Sequence, residues 1–156
     1  GAFGGYMVQL GKAAGLRIIA DAAPADEALV RSLGADEVVA RGDDVAARIR
    51  ALVPDGVDAL ADGSVQQARL LAAVRDGGGF AAVRGFEGET ERGITIHPVM
   101  VAKYFRQHDK LDELRQLAED GAVTLRVAAT FAAEQASEAH RLLEAGGSRG
   151  RFVIEL

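Results

Sequence analysis

The chain has 156 residues, enough for one domain with a substantial apolar core. Its formal net charge is −5, so the composition does not favour nucleic acid as a partner. There are no cysteines, which excludes disulfides and thiolate metal sites within this sequence, and no apolar run approaches the ~20 residues that span a bilayer. We therefore expect a cytoplasmic protein without a membrane partner.

Short apolar segments alternate with helical patterns through the first half of the chain. The predicted strands are Arg17–Asp21, Glu37–Ala40, Val57–Ala61 and Phe80–Val83. The predicted helices are Tyr6–Ala14, one from Pro24 to Gly34, one after Asp43 or Asp44, and one that Ser64 caps and that continues to Val74. Gly77–Gly79 is predicted to be a turn. This alternation is typical of an α/β fold with a mostly parallel sheet.

The second half predicts a looser arrangement. Pro98 interrupts a predicted strand and indicates an edge position or a bulge, because proline cannot donate to a neighbouring strand. The predicted elements are the strand Ile94–Val101, the helix Asp109–Glu119, the strand Val123–Val127, the helix Glu134–Ala145 and the strand Phe152–Leu156. A boundary near Gly121 divides the chain into residues 1–121 and 122–156.

A glycine-rich segment, GAFGGY, stands directly before the first predicted helix. Gly1 and Gly4 have the spacing of the second and third glycines of the dinucleotide fingerprint, whose glycines let a pyrophosphate approach a helix N-terminus. The first glycine and its strand would precede Gly1. A glycine-rich helix start without a ligand is the alternative.

Asp21 ends the second predicted strand in a position suited to a ribose. An acid about 20 residues beyond the glycines accepts hydrogen bonds from ribose hydroxyls in dinucleotide-binding domains. A solvated carboxylate at a strand end is the alternative. The three histidines have no metal-ligand spacing, so we predict no metal site.

The ordered set of segments GAFGGYMVQLGKAAG, RIIADA, RSLGADEVV, DGVDALAD and VRDGGGFAAVRG resembles the medium-chain dehydrogenase/reductase superfamily. The resemblance is closest to its quinone-oxidoreductase-like branch, often labelled zinc-binding dehydrogenase. The tail EQASEAHRLLEAGGSRGRFVIEL is similar to the segment by which these chains return to the catalytic domain.

The resemblance implies a doubly wound Rossmann-type sheet lacking its first strand, followed by a C-terminal piece of the catalytic domain. It also implies a cofactor site that borders Gly1, Ala2, Phe3, Gly4 and Gly5 at the pyrophosphate, Asp21 and Ala22 at the adenosine ribose, and Asp62, Gly63, Gly85 and Phe86 further along. Gly85 and Phe86 would lie nearest the nicotinamide. The activity implied is hydride transfer between NAD or NADP and a small carbonyl, alkene or quinone substrate.

The choice between NAD and NADP stays open at this point. Asp21 would repel a 2′-phosphate, which favours NAD, whereas the family branch favours NADP. In NAD-using relatives the acid comes one position later, where this chain has Ala22, and such a shift turns a side chain to the other face.

The resemblance places the catalytic domain and any zinc ligands before Gly1. We therefore expect the chain alone to be inactive. Its catalytic residues stay unknown, and homo-oligomer formation stays open. A Rossmann methyltransferase and a non-catalytic nucleotide-binding remnant are the alternatives.

Overall fold

The structure is a computed structural model that describes all residues, 1–156. Its helices are α1 (Ala2–Ala13), α2 (Glu27–Ser32), α3 (Val45–Leu52), α4 (His108–Glu119) and α5 (Ala136–Ala145). Its strands are β1 (Ile19–Ala22), β2 (Glu37–Ala40), β3 (Val57–Asp62), β4 (Val74–Val83), β5 (Thr95–Val99), β6 (Val127–Ala132) and β7 (Arg151–Glu155). No helix combines the length and apolarity needed to cross a membrane.

The strands form three separate sheets, and every pairing within them is parallel. β1 pairs with β2, β3 to β5 form a sheet in the order β3-β4-β5, and β6 pairs with β7. The predicted α/β class with parallel pairing is confirmed, and β5, which contains Pro98, is an edge strand as expected.

No strand lies between β1 and β3, and each of them pairs on one side only. Ala59 and Ala61 of β3 are exposed, although such alanines are usually covered in a parallel sheet. This is the arrangement expected of a doubly wound sheet whose central first strand is missing.

One apolar core joins the first two sheets through α3. Val45, Ala46 and Ile49 of α3 pack between β2 and the segment that leads into β4. The buried core comprises Val39, Val45, Ala46, Ile49, Leu70, Leu71, Ala73, Val74, Phe80, Ala82 and Ile94. Phe80 and Val74 are fully buried, so β4 is the central strand of this core.

The first helix begins earlier than predicted. α1 starts at Ala2 rather than Tyr6, with Gly1 as its N-cap, so Gly4 and Gly5 lie inside its first turns. Packing around this turn outweighs the weak helix propensity of glycine, because Gly5 is buried beside Leu33.

The predicted helix from Ser64 to Val74 is wrong. A 3-10 helix, Gln67–Ala73, stands in its place. The Ser64 hydroxyl and amide both donate to Asp62 Oδ1 at 2.8 Å, so Asp62, and not Ser64, caps this segment. At the other end Arg50 and Arg92 donate to carbonyl oxygens of residues 71, 72 and 74, which replaces the hydrogen bonds an α-helix would supply.

The predicted turn at Gly77–Gly79 is also wrong, since these glycines lie within β4. The register between β3 and β4 shifts between Val57 and Ala59, so the glycines form an irregularity inside the strand. A Cβ on Gly78 would lie 2.8 Å from the Asp58 carbonyl oxygen, which explains why no side chain is present there.

The predicted strand Val123–Val127 is replaced by β6, which begins only at Val127. The backbone amides just before β6 form hydrogen bonds outside the sheet. The Val123 amide donates to the Leu117 carbonyl oxygen, and the Thr124 amide donates to Gln9 Oε1 at 2.8 Å. Gln9 of α1 thereby anchors the start of the C-terminal segment.

Because β1 and β3 each pair on one side only, we predict that the 156-residue chain alone unfolds with weak cooperativity. The free edges of β1 and β3 hydrogen-bond to water instead of to a neighbouring strand, and they leave apolar residues such as Ala59 and Ala61 exposed, in a domain whose total stability is only ~5–15 kcal/mol. We expect no cooperative thermal transition above about 55 °C by circular dichroism.

A designed extension tests the cause. About six valine- and isoleucine-rich residues placed directly before Gly1 should raise the midpoint by about 10 °C, because they can pair with both free edges. An equally long extension of serine, glycine and aspartate is the control. A sharp transition above about 55 °C in the unextended chain would contradict the prediction.

Candidate functional site

The N-terminus of α1 opens onto solvent at the carboxyl ends of the strands. No side chain caps α1, no acidic residue lies in its first turn, and an added Cβ at Gly1 or Gly4 would meet nothing within 4 Å. The free amides of such a helix start, together with the helix dipole, favour an anion. The first turn therefore offers an unobstructed anion-binding surface.

The remaining residues of the first turn face inward. The Phe3 ring lies against Gly63, directly after β3, so closely that a Cβ on Gly63 would overlap it. Gly5 is buried, and its added Cβ would lie 3.2 Å from Leu33 and close to the Arg126 guanidinium. Gly5 therefore lies at a packing contact, and the prediction that residues 1–5 lie under the pyrophosphate stays a prediction.

Asp21 carries an ion pair that the sequence did not reveal. Arg41, directly after β2, donates from Nε to Asp21 Oδ2 at 2.7 Å. The parallel register of β1 and β2 places residue 21 beside residue 39, so the ends of the two strands meet. Ala22 points to the other face and is only 3% exposed, so its methyl group does not reach the crevice.

Three arginines surround the start of α1. Arg126 donates from Nη2 to the Gly1 carbonyl oxygen at 3.3 Å, and Arg149 is ion-paired with Asp26. Arg41 lies at the neighbouring end of β1, where it is ion-paired with Asp21. The positive potential here adds to that of the helix dipole.

The loops after β3 and β4 are joined by Gln67. The Gln67 amide donates to Asp62 Oδ2 at 2.7 Å, and its side-chain Oε1 accepts a hydrogen bond from the Glu87 amide at 2.7 Å. Asp62 is 2% exposed, and its carboxylate accepts hydrogen bonds from Ser64 and Gln67 of the same loop. Asp62 therefore holds the shape of the loop that follows β3. Phe86 packs edge-to-face on Phe80, with ring centroids 5.6 Å apart.

Three of the four non-glycine residues with positive φ lie near the carboxyl ends of β3 and β4, and the fourth, Arg92 (φ 49°), lies before β5. Val65 (φ 61°), Gln67 (φ 54°) and Arg84 (φ 68°) all adopt the left-handed conformation that non-glycine residues rarely occupy. They lie in the loops directly after β3 and β4, and Gly85 continues the same conformation with φ 84°. Strained residues of this kind cluster at binding sites.

A separate groove of about 470 Å³ runs along the other end of α1. Its lining includes Gln9, Lys12, Leu33 and Thr124, and none of the predicted cofactor residues. This groove is broad and open and contains no glycine segment or strand end. We therefore locate the candidate site by the glycine segment and the carboxyl ends of the strands, and not by the size of the groove.

The comparisons agree with this geometry. The sequence matches the zinc-binding dehydrogenase family over residues 33–154, more than half of the chain. The chain therefore belongs to that family, within the medium-chain dehydrogenase/reductase superfamily, and its fold is that of the Rossmann-type cofactor domain. A comparison with curated proteins finds no match.

Solved structures extend the likeness over almost the whole chain. An NAD-dependent alcohol dehydrogenase is 28% identical with a TM-score of 0.78, over 96% of this chain and 46% of its own. A mycobacterial protein complexed with NADPH is 23% identical with a TM-score of 0.82, over 100% of this chain and 54% of its own.

A quinone oxidoreductase from Pseudomonas syringae pv. Tomato DC3000 is 20% identical with a TM-score of 0.83, over 98% of this chain and 53% of its own. The chain thus spans about half the length of the solved structures it matches.

Zinc has no binding set among the described residues. No three His, Cys, Asp or Glu side chains lie together anywhere in residues 1–156. The residues present therefore do not fit a zinc ion, and we assign no step to one.

The contact between Phe3 and Gly63 predicts a strongly coupled pair of substitutions. Gly63→Ala should destabilise the full-length gene product by about 1–3 kcal/mol, because the new methyl group collides with the Phe3 ring. In a Phe3→Ala background the same substitution should cost little, giving a coupling of about 0.5–3 kcal/mol. Urea denaturation of the four variants measures this cycle, and simple additivity would show that the ring does not lie against Gly63.

Proposed function

We propose that this chain is the cofactor-binding part of an oxidoreductase that transfers hydride between a nicotinamide dinucleotide and a small carbonyl, alkene or quinone substrate. Membership of a dehydrogenase family supports an oxidoreductase. The observation that carries the proposal is the uncapped, glycine-lined start of α1 at the carboxyl edge of parallel strands. Open α/β folds bind their ligands at this edge.

The proposed roles follow the order of the residues along the edge. Gly1 and Gly4 would admit the pyrophosphate to the amides of α1, and Asp21 would lie at the adenosine ribose. Gly63 positions Phe3, and the strained loop at Gly85 and Phe86 would border the nicotinamide. When bound, the cofactor supplies the hydride chemistry; this chain's residues orient it and shape its surroundings.

The cofactor itself is supported only as a nicotinamide dinucleotide. One similar structure is described as NAD-dependent and another as a complex with NADPH. Neither description transfers to this chain.

The substrate pocket would be supplied by a catalytic domain that packs against residues 122–156. Two observations support this division: β6, α5 and β7 form a unit whose strands pair only with each other, and this unit carries five exposed large apolar side chains. These side chains are Leu125, Val127, Leu143, Val153 and Leu156. Exposed apolar surface of this extent favours a partner domain.

Gly4→Ala separates binding from folding. A methyl group at Gly4 meets no protein atom and favours a helix, so stability should be unchanged or rise by roughly 0.5–1 kcal/mol. The same methyl group would hinder the approach of a pyrophosphate, so dinucleotide affinity should fall about tenfold or more. Calorimetry with NADH and NADPH on the full-length gene product measures both affinities.

Ala13→Gly is the matched control at the far end of α1. It should lower stability by roughly 0.5–1 kcal/mol and leave the affinities unchanged. Titration with S-adenosylmethionine tests the methyltransferase alternative. Binding of S-adenosylmethionine without either dinucleotide, or equal dinucleotide binding by wild type and Gly4→Ala, would contradict the proposed function.

A further inference from the structure

A buried glutamine joins the first helix to the residues that lead into β6, which we call the linker segment (residues 122–126). Gln9 of α1 is 7% exposed, and its Oε1 accepts a hydrogen bond from the Thr124 amide at 2.8 Å. Its Nε2 donates to the Gly5 carbonyl oxygen at 3.2 Å. One side chain therefore connects the first turns of α1 to the beginning of the C-terminal segment.

The linker segment makes a second contact with α1 through Arg126. Arg126 Nη2 donates to the Gly1 carbonyl oxygen at 3.3 Å. A Cβ added to Gly5 would lie only 2.5 Å from the same Nη2 atom, so the missing side chain of Gly5 leaves the space that the guanidinium occupies. The linker segment is thus docked against the helix start at two points.

This docked position is electrostatically unfavourable for Arg126. The N-terminus of a helix carries the positive end of the helix dipole, which repels a cation. Arg149 is balanced by its ion pair with Asp26, whereas Arg126 has no carboxylate partner. Arg126 Nε is also buried without a hydrogen-bond partner, an arrangement that costs folding free energy. The docked linker segment therefore carries an unbalanced positive charge.

An anion at the start of α1 would balance this charge. A ligand shifts a conformational equilibrium only when it interacts differently with the two states. With the linker segment docked, the Arg126 guanidinium lies beside the helix start and attracts a bound anion. With the linker segment released from α1, that attraction is lost. Anion binding and docking of the linker segment therefore favour each other, and the effect is reciprocal.

We propose that Gln9 and Arg126 couple the anion site to the C-terminal segment, so that an anion bound at the start of α1 fixes the linker segment against the helix. This inference rests on the proposed function, because that function supplies a pyrophosphate as the anion. Arg126 provides the charge that senses the anion. Gln9 is a positioning residue, since it acts through its hydrogen bond to the Thr124 amide.

Hydrogen–deuterium exchange of the full-length gene product tests the coupling, on peptides that cover residues 120–128. In wild type, bound NADH or NADPH should slow exchange of the Thr124 amide at least about fivefold, the lower end of the usual range for coupled sites. Inorganic pyrophosphate at millimolar concentration should also slow it, because it carries the charge without a nicotinamide that could reach another domain.

Two variants remove the two parts of the link. Arg126→Ala should reduce the slowing by a dinucleotide to less than about twofold, because the charge that senses the anion is gone. Gln9→Met keeps the side-chain volume but loses both hydrogen bonds, so the Thr124 amide should exchange about fivefold faster even without ligand. If Gln9→Met does not fold, Arg126→Ala decides the test alone.

Lys12→Met is the matched control on the same helix. Lys12 lies about one turn beyond Gln9, and its Nζ donates to Asp36 at 2.9 Å, so it ties α1 to the residues before β2 instead of to the linker segment. The substitution should leave the ligand-induced slowing unchanged. Loss of the slowing in Lys12→Met would indicate a general loosening of α1 and would contradict a specific link.

The outcomes separate the two proposals. If calorimetry shows that a dinucleotide binds, but exchange in the linker segment stays unchanged or slows equally in Arg126→Ala, the coupling is overturned and the proposed function stands. If pyrophosphate slows exchange in an Arg126-dependent way but neither dinucleotide binds, the proposed function fails and the coupling stands. If neither dinucleotides nor pyrophosphate change the exchange, both fail.

Discussion

The sheets β1-β2 and β3-β4-β5 share no strand pairing, so within this chain their relative position depends on side-chain packing through two helices. α3 places Val45, Ala46 and Ile49 in a core that reaches from β2 to β4. α1 contacts both units as well, with Gly11 against Ile18 before β1 and Phe3 against Gly63 after β3. Close packing acts over short distances and depends on side-chain volume. A small change in side-chain volume at these contacts therefore shifts the two sheets relative to each other.

The candidate site lies across this junction. The side we assign to the ribose is built from the ends of β1 and β2, whereas the side we assign to the nicotinamide is built from the loops after β3 and β4. The N-terminus of α1 stands between them and touches Gly63 through Phe3. Within this chain, α1 and α3 together therefore set the separation of the two halves of the candidate site.

The order of the elements could be predicted because hydrophobic periodicity is a local signal. The failures share a different cause. The segment after Ser64 has a helical pattern, yet Arg50 and Arg92 donate to its last carbonyl oxygens from distant parts of the chain. Val123 has a strand pattern, yet Gln9 binds the amide of the next residue from 115 positions away. Arg41 was missed for the same reason, because only the pairing of β1 with β2 brings it to Asp21. Contacts between distant residues have no local pattern that a single sequence displays.

The strained loops after β3 and β4 have a consequence for engineering. Val65, Gln67 and Arg84 hold a conformation that glycine adopts without steric cost, and each such residue costs of order 1–3 kcal/mol. Laboratory evolution for heat resistance alone would relax these positions, because stabilising substitutions are accessible there. Selection that also requires enzymatic turnover would keep the original residues wherever catalysis needs this loop shape. Lineages selected for stability alone and lineages selected for stability and turnover would therefore carry different residues at these three positions.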